Sequence, residues 1–65
     1  MVGIGKNIRN LRRERKISQY DLGEMLGFSQ RAVSDWEKDN CEPNIETIRK
    51  IARAFNVSYD DLFEE

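Results

Sequence analysis

The side chains with most to offer chemically stand close together: Gln30, Arg31, Ser34 and Lys38, with Asp35 beside them. On a helix turning about 100° per residue they share one face, opposite Ala32, Val33 and Trp36. Their chemistry is hydrogen bonding, not bond breaking. Glutamine can bond adenine N6 and N7 bidentately, arginine guanine O6 and N7, and serine serves as donor or acceptor, so such a face suits a base-lined groove. A solvated helix face has the same residue types, and from these residues alone both readings stand.

Catalysis has little to draw on. The chain has 65 residues, no histidine, one cysteine and no glycine-rich phosphate loop. So short a chain has too little wall to enclose a reaction pocket, and neither a metal site, a cofactor nor a small-molecule ligand is evident. Cys41 has no partner within the chain, which points to a reducing compartment and a cytoplasmic location. On a loop with no helix end or fixed cation beside it, it reads as a free thiol without function. No apolar run approaches the roughly 18 residues of a membrane span, and the N-terminus lacks a signal-peptide pattern.

Net charge is −1 and the pI about 5.4, against the uniformly basic surface of many nucleic-acid binders. The distribution is polar along the chain, however. Residues 1–16 carry six cations against Glu14, net +5, whereas 17–38 sum to −2 and 39–65 to −4. One basic end can still meet an anion.

These side chains need a frame, and the apolar spacing is helical throughout. An all-α bundle of five helices is expected, as a single domain over residues 1–65. Ile4, Ile8 and Leu11 form one stripe, giving a first helix from about Gly5 to Glu14. Ser18 with Asp21 resembles a capping box, and Leu22, Met25 and Leu26 supply the apolar side of a second helix that Gly27 stops. Ser29 caps the third, where Val33 and Trp36 point to the core. Asn44 follows Pro43 and caps the fourth, with Ile45, Ile48, Ile51, Ala52 and Phe55 on one side. Asn56 suits the left-handed position after it, and Ser58 with Asp61 caps a short fifth helix ending at Leu62 and Phe63. The second and third helices, joined by a tight glycine turn at about residues 18–38, make a helix-turn-helix pattern.

The run Ile4-Gly5, Ile8-Arg9, Leu11-Arg12, Ser18-Gln19, Leu22, Leu26-Gly27, Ser29, Val33-Ser34, Trp36-Glu37, Pro43, Glu46-Thr47, Ile51-Ala52, Ala54, Val57-Ser58 and Asp61-Leu62 closely resembles the Cro/C1-type, or XRE-family, helix-turn-helix domain of phage repressors and bacterial regulators. The match covers essentially the whole chain. It implies a five-helix DNA-binding domain whose third helix enters the major groove. It further implies that Gln30, Arg31, Ser34 and Asp35 face base edges, and that Gln19 meets the sugar-phosphate backbone, with Ser29, Lys38 and Asn40 as further backbone contacts. Two departures have consequences. Gly23 replaces the family's usual alanine, which preserves close packing of the second and third helices at about 1 kcal/mol of helix propensity. Asp39 replaces the usual glycine, and with Glu42 it puts negative charge in a loop that family members often lay against phosphate, so Asn40 and backbone amides are left to make those contacts.

Arg12 falls at the edge of the first apolar stripe, and a partly buried guanidinium needs an anion. Glu37 is the candidate, which the resemblance supports. Arg9, Arg13, Arg15 and Lys16 read as a solvated face, with one or two of them near phosphate as the alternative. Tyr20 either reaches phosphate or covers apolar surface, and Tyr59 and Phe63 either close the core or form a dimer surface, with the loop around residues 39–43 as the other surface expected to pair.

The function expected is sequence-specific binding to double-stranded DNA by a transcriptional regulator, most simply a repressor acting as a homodimer on a pseudo-palindromic operator. The rival is a protein-interaction module on the same fold, an antirepressor or the antitoxin partner of a toxin, which the acidic pI favours. RNA is a weaker third, since its deep, narrow major groove admits no helix.

Overall fold

The computed structural model describes residues 3–63. Four α-helices follow one another, α1 (Ile4–Glu14), α2 (Gln19–Leu26), α3 (Gln30–Glu37) and α4 (Ile45–Phe55), and the expected fifth is a single 3-10 turn at Asp60–Phe63. No strand is present among the described residues, and no described helix is long and apolar enough to cross a membrane.

The helices begin and end by local rules. Ser18 Oγ accepts the Asp21 N–H at 3.0 Å, Ser29 Oγ that of Ala32 at 3.2 Å, and Asn44 Oδ1 that of Thr47 at 2.8 Å. Ser58 and Asp61 cap each other reciprocally, both bonds 3.1 Å. Each side chain thereby satisfies a donor that the first helical turn leaves unpaired. All four α-helices then close on a left-handed residue, Lys16, Gly27, Asp39 or Asn56. The following N–H reaches back five residues, Ile17 to Arg12, Phe28 to Gly23, Asn40 to Asp35 and Val57 to Ala52, which satisfies an orphan carbonyl each time.

Ile4, Ile8, Leu22, Leu26, Val33, Trp36, Ile48, Ile51, Ala52, Phe55 and Leu62 build one core. Each large apolar side chain among them contributes about 1.5–3 kcal/mol by leaving water. α1 packs on α3, α4 and the 3-10 turn, and α2 packs on α3 and α4. Asn7 Nδ2 donates to the Leu62 carbonyl at 2.7 Å, tying the last turn to α1.

Several expectations need correcting. Met25 is 54% exposed and Ile45 61% exposed, although both belong to apolar stripes. On α2 the buried side is Leu22, Gly23 and Leu26, because the turn at Phe28 and Ser29 closes onto Gly23 and rotates Met25 outward. A Cβ at Gly23 would stand 2.6 Å from the Phe28 carbonyl oxygen, so here alanine's better propensity is opposed by a backbone clash. On α4 the buried Thr47 takes the first-turn place in the interior and leaves Ile45 outside.

Arg15 is exposed but has fixed partners. Its Nη2 donates to the Phe55 carbonyl at 2.5 Å, and its guanidinium carbon lies 5.3 Å from the Phe55 ring centroid. Asp39 also behaves differently from the expectation. Gly3, the N-cap of α1, has no side chain to accept from the first turn, and the Asp39 carboxylate lies against it, where a Cβ on Gly3 or Gly5 would overlap Asp39 Oδ1. Its charge therefore faces the positive end of the α1 dipole.

Candidate nucleic-acid interface

Val33 and Trp36 anchor α3 in the core, and the helical period then turns Gln30, Arg31, Ser34, Asp35 and Lys38 the other way. The structure brings these five together with Gln19 and Asn40 along one open groove. Gln30, Arg31, Lys38 and Asn40 are exposed, while Gln19, Ser34 and Asp35 are half-buried. Arg31 and Lys38 set two cations against the Asp35 carboxylate. The groove thus combines three amides, a hydroxyl, a carboxylate and two cations, enough to read donors and acceptors on a base edge.

Ser29 stands at the N-cap of α3, its Oγ accepting from Ala32. Tyr20 is exposed next to Gln19. Tyr59 and Phe63 lie away from this groove, at the 3-10 turn. They are 37% and 42% exposed, with ring centroids 5.2 Å apart, while Leu62 between them fills the core.

The Arg12–Glu37 pair holds α3 to α1. Arg12 Nε donates to Glu37 Oε2 at 2.6 Å and Nη2 to Oε1 at 3.1 Å, and the two side chains are only 13% and 4% exposed. Nη1 donates to the Ile17 carbonyl at 2.8 Å. The hydrogen bond that Arg12 donates to Glu37, together with the carboxylate's charge, raises the Arg12 pKa above the ordinary value against the opposing effect of burial.

Two contributors have little or no local sequence signal. Phe28, in the turn between α2 and α3, sets its ring edge-on to Trp36 at 5.1 Å and 73°, which ties the turn to the buried side of α3. Gln19 is hydrogen-bonded to Glu37 Oε1 at 3.1 Å, so it belongs to the ion-pair network as well as to the groove. A lone aromatic between Gly27 and Ser29 is the only hint of the first; nothing in the spacing hints at the second.

A sequence profile of the helix-turn-helix family matches residues 8–62. The Repressor protein C2 of Salmonella phage P22 is 39% identical over 61 residues, 94% of this chain and 28% of that protein. Antitoxin PezA of Streptococcus pneumoniae is 36% identical over 62 residues, 95% of this chain and 39% of that protein. The chain therefore spans well under half the length of these curated relatives. Among solved structures, the P22 c2 repressor in complex with a synthetic operator superposes with a TM-score of 0.88 at 39% identity, covering 95% of this chain and 94% of that one.

Proposed function

The chain belongs to the Cro/C1-type helix-turn-helix family, and from that premise we propose that it binds double-stranded DNA sequence-specifically as a transcriptional regulator, most simply a repressor on an operator. The observation that carries this is the convergence of Gln30, Arg31, Ser34 and Asp35 on one open groove with Gln19, Lys38 and Asn40 around them. In this reading α3 enters the major groove, the first four face base edges, and Gln19, Ser29, Lys38 and Asn40 meet the sugar-phosphate backbone. The role needs no catalytic step, and it places the chain in the cytoplasm with its DNA. The P22 repressor solved with a synthetic operator at TM-score 0.88 supports DNA binding by this fold.

The described Cα atoms extend 25 × 24 × 21 Å, less than the roughly 34 Å of one DNA turn. One copy therefore reads one half-site. A homodimer on a pseudo-palindrome, with half-sites about 10 base pairs apart or a multiple of that, supplies the rest, and Tyr59 and Phe63 are the surface proposed for pairing.

A second reading keeps the fold for a protein partner. Antitoxin PezA at 36% identity and the pI of about 5.4 favour it. Selection of bound sequences from a random duplex library separates the two. Enrichment of a palindrome supports the regulator, and absence of enrichment moves the partner reading ahead.

A further inference from the structure

Gln19 joins the interior ion pair to the groove. Its Nε2 donates to Glu37 Oε1 at 3.1 Å, the same oxygen that receives Arg12 Nη2 at 3.1 Å, and the residue also lines the groove beside Gln30, Arg31 and Ser34. A carboxylate has no proton to give. Only the amide nitrogen of Gln19, never its carbonyl oxygen, can therefore rest against Glu37. The half-turn ambiguity of an amide between neutral neighbours is removed here by charge. One N–H is engaged, and the second N–H of the same nitrogen is left for an acceptor on the groove side.

Phosphate oxygens only accept, so a backbone contact by Gln19 needs that N–H. The carboxylate in turn cannot swing away, because Arg12 Nε holds its other oxygen at 2.6 Å while Arg12 Nη1 is fixed on the Ile17 carbonyl at 2.8 Å. Arg12 also cancels a negative charge that would otherwise repel an approaching phosphate. We propose that Glu37 is a positioning residue for DNA-backbone contact, fixing Gln19 nitrogen-first at the groove while Arg12 neutralises the carboxylate behind it. The inference rests on the DNA-binding reading and adds to it a link between a core ion pair and a phosphate contact.

The test is a double-mutant cycle in binding to a duplex obtained by selection, with each variant first checked for native helicity and cooperative melting. Gln19→Ala should weaken binding about fivefold to tenfold, the worth of one hydrogen bond. Glu37→Gln removes the charge that orients the amide but keeps its shape. It should weaken binding several-fold in the Gln19 protein and no further once residue 19 is alanine. Equal weakening in both backgrounds makes Glu37 purely structural and overturns the proposal, as does no weakening in the Gln19 protein. Wild-type protein that holds no duplex overturns the DNA-binding reading, and the relay with it. A measurement on the unsubstituted protein stands apart from these: the Gln19 side-chain amide hydrogens should exchange with solvent more slowly than those of exposed Gln30. Equal exchange overturns the relay even where DNA binding stands.

Discussion

Arg15, the residue that follows α1, closes the end of α4: its Nη2 meets the Phe55 carbonyl at 2.5 Å while its guanidinium carbon lies 5.3 Å from the same residue's ring centroid. A cation at a helix C-terminus, a hydrogen bond to an otherwise orphaned carbonyl and a cation–π contact all act through one side chain. Arg15→Ala should therefore destabilise by about 1–2 kcal/mol, as read from urea unfolding. A change within about 0.5 kcal/mol would return Arg15 to the status of a surface charge.

The Arg12–Glu37 pair should respond unequally to truncation. Arg12→Ala leaves a carboxylate 4% exposed with Gln19 as its remaining partner, and should cost about 3–5 kcal/mol. Glu37→Ala leaves a guanidinium that is more exposed and keeps the Ile17 carbonyl, so its cost should be smaller. The double variant should lose less than the sum of the singles. Strict additivity in chemical denaturation would mean that the two charges act independently.

Gly23→Ala tests the turn. Helix propensity alone favours alanine by about 1 kcal/mol, but the added Cβ would stand 2.6 Å from the Phe28 carbonyl oxygen. Overpacking against backbone should win, with a net loss of about 1–3 kcal/mol. A raised melting temperature would show that the Phe28–Ser29 turn gives way freely.

Readout separates from affinity on the proposed operator. Arg31→Ala and Gln30→Ala should each cost about 1–3 kcal/mol on the preferred site and relax preference at one base-pair position per half-site. Gln19→Ala should weaken all sequences alike and leave the salt slope nearly unchanged, because a neutral amide releases few counterions. Binding to every single-base variant at two salt concentrations measures both. An intact preference profile in the Arg31 and Gln30 variants would remove α3 as the reader.

Pairing should depend on DNA. Tyr59 and Phe63 offer a small apolar surface, so the 65-residue chain should be mostly monomeric at micromolar concentration and dimeric on a palindromic duplex. Sedimentation with and without the duplex measures this. Stable occupancy by one copy at saturating protein would refute it.

Most of what was legible in the sequence was local in origin. Ser18, Ser29, Asn44 and Ser58 cap elements within three residues of themselves, Gly27 and Asn56 end them, and the 3.6-residue period already divides Val33 and Trp36 from Gln30, Arg31 and Ser34. Arg12 and Glu37 could be matched across 25 positions because an interior arginine demands an anion and the family resemblance supported that partner. The rest depends on which surfaces meet. Arg15 reaches Phe55 40 positions away, Gln19 reaches Glu37 18 positions away, and Asp39 turns to the N-terminus of α1. Met25 and Ile45 lie outside because Gly23 and Thr47 take the buried positions their stripes implied. An exposed cation, an amide or a methionine has the same local pattern whether its neighbour is water or another helix, so only the packing of α1, α2 and α4 around α3 could assign those partners.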